Sequence, residues 1–211
     1  MRFRDRRDAG RQLADQLAER ALVDPVVLGL PRGGVPVAVE IADRLNAPVD
    51  VFVACKIGAP GYQEVGIGAV AESWDDVVVT DTAAKLGIDR ARMQELGETA
   101  RGELLRRVQT YRGGRSTPEV TGRDVIVVDD GVATGATAEA ALRALRQRNP
   151  RSLILAIPVC PAIAVERMAT LADEVVCAVV AERLVAVSAW YEDFGQVSDD
   201  EVTDLLHRAR T

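Results

Sequence analysis

Short runs of apolar residues alternate with segments whose apolar residues recur at helical spacing along most of this chain. Helical spacing is clearest from Val37 to Leu45, over 89–111, and in two segments that contain Ala138 and Ala164. Strands that alternate with helices form a parallel sheet with helices on both faces, because each helix returns the chain to the starting end of the sheet. The pattern therefore predicts an α/β fold. Buried strands are predicted at 26–30, 49–54, 125–128, 152–157 and 175–180.

Two further features lie outside this alternation. Apolar runs at 65–71 and 77–80 flank a polar segment, which predicts a hairpin-like pair of strands. Ser198 and Glu201 have the spacing of a capping box, which predicts the start of a last helix.

The composition narrows the class of protein. The 211 residues are expected to form one domain, 1–211, and the net charge of -6 argues against nucleic acid as a partner. No apolar stretch is long enough to cross a membrane and no apolar signal core follows Met1, so a cytoplasmic protein without a membrane partner is expected. His207 is the single histidine, which disfavours sites built on several histidines.

Ligands of parallel α/β sheets bind beyond the carboxyl ends of the strands, so the loop after the strand at 125–128 is the first to inspect. Asp129 and Asp130 open this loop, and small residues and threonines lead from it into a helix. Small residues let backbone N–H groups approach a phosphate. The partial positive charge at the start of a helix also attracts the negative charge of the phosphate. Paired carboxylates can accept hydrogen bonds from a ribose diol and hold Mg²⁺, directly or through water. A plain Asp-Asp-Gly turn is the alternative, but the whole strand–loop unit favours a sugar phosphate site.

The thirteen residues 125–137 resemble the signature of type I phosphoribosyltransferases: four apolar residues, two acids, two loop residues and a small–Thr–Gly–x–Thr run. Nearly the whole chain resembles a bacterial group of such proteins whose substrate is unassigned. The resemblance implies that the acids contact the ribose hydroxyls of phosphoribosyl pyrophosphate and that the loop binds its 5-phosphate. The implied substrate-binding residues here are Asp129, Asp130, Gly131, Ala133, Thr134, Gly135, Ala136 and Thr137, with Asp130 also a catalytic candidate.

Two basic residues follow other predicted strands. Arg32 precedes Gly33 and Gly34 after the strand at 26–30 and resembles the family's pyrophosphate loop, although a plain turn is the alternative. Lys56, placed in a loop after the strand at 49–54, resembles the basic residue that meets pyrophosphate in adenine-type relatives; solvated surface is the alternative. Arg32 and Lys56 are therefore the other catalytic candidates, as cations that stabilise the leaving group. Those relatives often carry Arg before this Lys, where this chain has Cys55.

The resemblance also divides the chain into regions. It implies a mobile lid at about 57–118, and a hood over the acceptor made of the N-terminal segment and about 181–211. Trp190 and Tyr191 in the hood are candidates for stacking on a base, or else belong to a small satellite core. Five arginines form either a basic lid or a solvated helix face: Arg101, Arg106, Arg107, Arg112 and Arg115.

The implied reaction is Mg²⁺-dependent transfer of the 5-phosphoribosyl group from phosphoribosyl pyrophosphate to a nitrogen acceptor, with pyrophosphate as the leaving group. A nucleobase is the expected acceptor, and a homodimer is expected because relatives are often dimers. Ala133 stands where hypoxanthine–guanine relatives place an acid, and Glu64 and Asp193 are candidate acid–base groups. A non-catalytic sensor of phosphoribosyl pyrophosphate or a nucleotide is the main alternative function, and a hydrolase acting on a phosphorylated sugar is another.

Overall fold

Two sheets organise the computed structural model, which describes residues 2–209 except for the side chains of Gln63 and Glu64. The first sheet is fully parallel and the second is antiparallel. The strands are β1 (Val26–Gly29), β2 (Val49–Val51), β3 (Ala54–Ala59), β4 (Tyr62–Ala71), β5 (Val78–Val79), β6 (Asp124–Val128), β7 (Ser152–Pro161) and β8 (Glu174–Ala181).

The parallel sheet has the strand order β2-β1-β6-β7-β8. All five residues of β6 are buried, as expected for β-branched residues in a central strand that is covered on both faces. The order changes direction between β1 and β6, which pair from Val26 with Val125 to Gly29 with Val128. Such a switch point leaves a crevice beyond the two strand ends, where ligands of open α/β sheets bind.

Helices cover both faces of this sheet, which confirms the predicted α/β fold. The first two helices share a core with one face, whereas the fifth and sixth share a core with the other. The first helix was not predicted, although its buried Ala9, Leu13 and Leu17 are spaced four apart and Asp5 caps its start. The helices are α1 (Arg6–Ala18), α2 (Gly34–Leu45), α3 (Asp81–Lys85), α4 (Arg90–Arg112), α5 (Ala136–Arg146), α6 (Ala162–Met168) and α7 (Asp199–Arg208), with a 3-10 helix at Val187–Trp190.

The predicted strand at 49–54 is in fact two strands, because the chain crosses from one sheet to the other after Val51. A buried ion pair fixes this crossing. Arg112 Nη2 donates to Val51 O at 2.6 Å and to Glu72 Oε1 at 2.6 Å, and Glu72 Oε1 accepts from Val53 N at 2.8 Å. The placement of Lys56 in a loop was therefore wrong, since this residue lies within β3. Arg112 is 3% exposed and cannot serve as a lid cation.

The antiparallel sheet has the order β3-β4-β5, and its β4–β5 pair confirms the hairpin predicted around 72–76. Helix α4 packs on β3 and β4 through buried Leu104 and Tyr111. The predicted lid at 57–118 thus contains regular elements, and its mobility stays a prediction. Among the helices of residues 2–209, none is long and apolar enough to span a bilayer.

Candidate functional site

Two adjacent carboxylates, Asp129 and Asp130, follow β6 at the switch point of the parallel sheet. Asp129 Oδ1 accepts a hydrogen bond from the Asp130 backbone N–H at 2.9 Å. Burial raises the pKa of Asp129 well above its usual value, and the negative charge of Asp130 raises it further. Burial also raises the pKa of Asp130, although Arg6 opposes this shift. Negative charge on this pair is therefore costly in the free protein, because Arg6 and the backbone N–H offset burial only in part, as is typical of ligand sites.

The loop after β1 lies directly against this acidic pair. A Cβ atom on Gly33 would lie 1.9 Å from Asp130 Oδ2, and one on Gly34 would lie 2.4 Å from Val128 O. Real side chains cannot approach so closely, so only glycine lets this loop reach the end of β6. The structure thus brings together Gly33, Gly34 and the acids, which the sequence placed about a hundred positions apart.

A cavity of ≈ 410 Å³ opens beside Gly33 and Asp130. Its wall includes three guanidinium groups, from Arg6, Arg32 and Arg107, and the ring of Phe194. Arg32 is a predicted site cation, and Arg107 is one of the five arginines predicted to form a basic lid or a solvated helix face. Arg32 Nη1 lies 3.8 Å from Asp199 Oδ1 at the start of α7. Each of the three also has a carboxylate partner, which for Arg107 is Glu103 at 2.7 Å. Guanidinium groups still have further N–H donors, so together they can bind a ligand with several negative charges.

The predicted phosphate loop leads from the acids into α5. Gly131 and Gly135 have φ values of 155° and 76°, which few other residues adopt without strain. Ala133 and Thr134 are exposed, Thr137 is half-buried, and α5 begins at Ala136. The first N–H groups of a helix have no intrahelical partner, so they can bind a phosphate at this point.

Two arginines at the site were missed by sequence reasoning. Arg6 Nε donates to Asp130 Oδ2 at 2.7 Å, and its side chain is 11% exposed. Arg167 donates to the Thr134 carbonyl, and its Nε lies 3.7 Å from Glu139 Oε2 in α5. Arg6 and Asp130 are 124 positions apart, so no local pattern could have indicated their contact.

The aromatic residues of the hood are arranged differently from the prediction. Tyr191 is buried between Phe3 and Phe194, with ring centroids 5.4 and 4.9 Å away, and its hydroxyl donates to Asp130 O at 2.6 Å. Its ring faces are therefore covered, which removes Tyr191 as a stacking surface in this arrangement. Trp190 is half-buried and is not part of the described cavity wall, whereas Phe194 is.

Three other candidates lie apart from the described wall of this cavity. Lys56 is exposed in β3, next to Gly66 of the paired strand. Asp193 lines a different pocket, together with Arg7 and Gln196, and accepts a hydrogen bond from Gly195 N at 3.0 Å. The side chain of Glu64 lies outside the described residues.

The two carboxylates after β6 suit Mg²⁺ better than a metal ion that takes all of its ligands from protein side chains. Within the described residues, no three His, Cys, Asp or Glu side chains converge on one point. Mg²⁺ commonly binds through one or two carboxylates and completes its octahedron with water and substrate oxygens. Asp129 and Asp130 can supply those carboxylates.

Comparisons with known proteins agree with this geometry. The model of the phosphoribosyl transferase domain matches residues 5–200. Two Mycobacterium tuberculosis proteins, each named "Putative phosphoribosyl transferase", are 45% identical over 207 residues, or 98% of this chain. The chain spans 47% of the length of these curated relatives.

Solved structures give the same result. A crystal structure of a Thermus thermophilus protein is 46% identical, with a TM-score of 0.82 and 99% of both chains covered. An Aquifex aeolicus protein shares the fold alone, with 16% identity, a TM-score of 0.54, and coverage of 96% of this chain and 85% of that one. Because the family model spans most of the chain and the acids, glycine loop and helix start meet at one edge, the chain belongs to the phosphoribosyl transferase domain family.

Proposed function

We propose that this chain is a Mg²⁺-dependent phosphoribosyltransferase. It transfers the 5-phosphoribosyl group from phosphoribosyl pyrophosphate to a nitrogen atom of a small acceptor, with release of pyrophosphate. The observation that carries the proposal is the meeting of three anion- or diol-binding features at one sheet edge: the acids Asp129 and Asp130, the loop at Gly33, and the start of α5. The family membership supports the same reaction class.

Each feature suits one part of the donor. The carboxylates of Asp129 and Asp130 accept hydrogen bonds from the two ribose hydroxyls. The amides between Ala133 and Thr137 bind the 5-phosphate, because they precede or open a helix. The ribose thus lies between its phosphate and the guanidinium-lined cavity, with C1 directed at that cavity.

The chain stabilises the leaving group mainly by fixed charge. Arg32 and Arg107 line the cavity beside Gly33, where pyrophosphate would depart. Lys56 stays a candidate for the same role if the β3–β4 hairpin approaches the bound donor. Mg²⁺, when bound at the two acids, supplies further neutralisation of the departing charge. No covalent nucleophile is required for this transfer.

The acceptor is proposed to be a nucleobase or similar nitrogen heterocycle. Phe194 on the cavity wall can contact such a ring through its edge, because Arg6 lies over its face and the Tyr191 ring packs 4.9 Å away. Trp190 could join it only if the hood rearranges. Ala133 supplies no acid at the acceptor, so any proton transfer must involve another group. A homodimer and a cytoplasmic location belong to the proposal through the family resemblance alone.

The test is an assay of pyrophosphate release from phosphoribosyl pyrophosphate and Mg²⁺ with a panel of purine, pyrimidine and pyridine bases. Release that depends on one base, together with the matching nucleotide product, supports the transferase. Ribose 5-phosphate formed without a base adduct would show hydrolysis instead. Tight binding of the donor without turnover on any base would favour the sensor.

A further inference from the structure

Arg6 is held at three points beside the acidic pair. Its Nε donates to Asp130 Oδ2 at 2.7 Å and its Nη1 donates to Gly195 O at 2.7 Å. Its guanidinium carbon lies 3.8 Å from the centroid of the Phe194 ring. A guanidinium that is 11% exposed and bound on two edges and one face has little freedom to move.

The backbone around Arg6 is fixed as well. Phe3 N donates to Trp190 O at 2.9 Å, Glu192 N donates to Phe3 O at 2.8 Å, and Asp193 N donates to Arg4 O at 2.8 Å. The N-terminal segment thus pairs with the segment that follows β8. This pairing delivers the first residue of α1 to the end of β6, from the opposite end of the chain.

Asp130 is consequently held from two sides. Tyr191 Oη donates to its carbonyl at 2.6 Å, while Arg6 binds one oxygen of its carboxylate. Among the described hydrogen bonds, none uses the other carboxylate oxygen, Oδ1. A carboxylate can accept several hydrogen bonds, so Oδ1 stays available to a hydroxyl while Oδ2 is held.

We propose that Arg6 is a positioning residue for the donor sugar: it fixes the Asp130 carboxylate so that Oδ1 faces the ribose hydroxyls, and it ties this carboxylate to the Phe194–Gly195 segment. This inference rests on the proposed function, because it takes phosphoribosyl pyrophosphate as the ligand. The N-terminal segment thereby gains a role in sugar binding. From the sequence alone, this segment was predicted only to form part of the hood.

The experiment compares two ligands by calorimetric titration of the full chain in the presence of Mg²⁺. Phosphoribosyl pyrophosphate carries the ribose diol, whereas inorganic pyrophosphate does not. Arg6→Ala should weaken binding of phosphoribosyl pyrophosphate by about tenfold or more, as expected for the loss of a charged hydrogen bond. Affinity for inorganic pyrophosphate should fall by a clearly smaller factor, because the Arg6 guanidinium is already bound to Asp130 and Gly195 and pyrophosphate has no hydroxyl for Asp130 Oδ1.

Arg7→Ala is the matched control. Arg7 is the next residue of α1, its side chain is 54% exposed, and its ion pair with Glu40 is long, at 3.9 Å. Arg7→Ala should leave both affinities unchanged. If Arg6→Ala fails to fold, Arg6→Lys takes its place, since it keeps the charge and loses the second donor. It should weaken binding of phosphoribosyl pyrophosphate alone, by about threefold or more.

The outcomes separate the two proposals. If the wild-type protein does not bind phosphoribosyl pyrophosphate, the proposed function fails. If the wild-type protein binds it and Arg6→Ala binds equally well, the role of Arg6 is wrong and the proposed function stands. Equal weakening of both ligands would also overturn the role of Arg6, because it would indicate a general disturbance of the cavity.

Discussion

The two ends of strand β6 carry carboxylates with opposite surroundings. At the start of the strand, Asp124 is 1% exposed and accepts hydrogen bonds from Val23 N at 2.6 Å, Ser152 Oγ at 2.7 Å and Arg151 Nη1 at 2.7 Å. Burial alone would raise the pKa of Asp124, but these donors and the Arg151 charge lower it. Just past the end of the strand, burial raises the pKa of Asp129.

These surroundings distinguish an acid that the protein itself satisfies from the pair that we propose binds the donor. Asp124 has a full set of protein donors, so its charge stabilises the fold. Asp129 and Asp130 accept few hydrogen bonds from the protein for two adjacent carboxylates. Ionising both therefore costs folding free energy, and a ligand that donates hydrogen bonds or brings a cation can offset this cost. Neutralising the acids at one end of β6 and then at the other tests this difference.

The largest expected effect comes from neutralising both acids at the ligand end. Asp129→Asn with Asp130→Asn should weaken binding of phosphoribosyl pyrophosphate by about a hundredfold or more, because two charge-assisted hydrogen bonds are lost. The melting temperature should change little, because the removal of two adjacent buried charges is offset by the loss of the Arg6–Asp130 ion pair. Calorimetric titration and thermal unfolding measure the two quantities, and unchanged affinity would refute the site assignment.

Asp124→Asn is the matched change at the other end of the same strand. It should lower the free energy of unfolding by about 2–4 kcal/mol, because Arg151 and the Val23 N–H lose a buried charged partner. Its affinity for phosphoribosyl pyrophosphate should equal that of the wild-type protein. Chemical denaturation and the same titration test this prediction, and a variant that lost affinity but not stability would reverse the comparison.

Gly33→Ala tests the close approach of the glycine loop to Asp130. The added Cβ would lie 1.9 Å from Asp130 Oδ2, so either the loop or the carboxylate must move. Affinity for phosphoribosyl pyrophosphate should fall by about tenfold or more. Gly102→Ala is the matched control, because Gly102, like Gly33, lacks a positive φ and nothing lies within 4 Å of a Cβ added there. Equal affinity of wild-type protein and Gly33→Ala would show that this contact does not shape the site.

The smallest expected effect is a difference in acid sensitivity. The folded-state pKa of Asp124 lies below its usual value of 3.8, so its contribution is fully present above that value and is lost as the pH falls through the folded pKa. The stability gap between wild-type protein and Asp124→Asn should therefore stay constant down to about pH 4 and narrow below it. Thermal unfolding across that range measures the gap, and a gap that widened on acidification would contradict the assigned charge state.

Local signals explain which parts of the molecule could be predicted from sequence. Residues 125–137 contain the strand, the acids, the loop and the start of the helix in one continuous segment. Their chemistry can therefore be predicted from the local sequence. Ser198 likewise caps α7, with its Oγ accepting from Glu201 N at 3.1 Å, as its spacing predicts. The fold class follows from the same local alternation.

Long-range contacts explain what could not be predicted. Lys56 lies in a strand because β4 pairs with it and because the buried Arg112–Glu72 pair ends β2 early. Arg6 reaches Asp130 because the N-terminal segment pairs with the chain after β8. Neither contact produces a local sequence pattern, since each joins residues that are far apart in the chain.

Asp129 and Asp130, which follow β6, are proposed to bind the donor sugar phosphate. Calorimetric titration of the wild-type protein with phosphoribosyl pyrophosphate, with and without Mg²⁺, tests this proposal most directly. We expect saturable binding at one site per chain that is strengthened by Mg²⁺ and lost in the Asp129→Asn, Asp130→Asn variant. Absence of binding in both conditions, or equal binding by that variant, would contradict it.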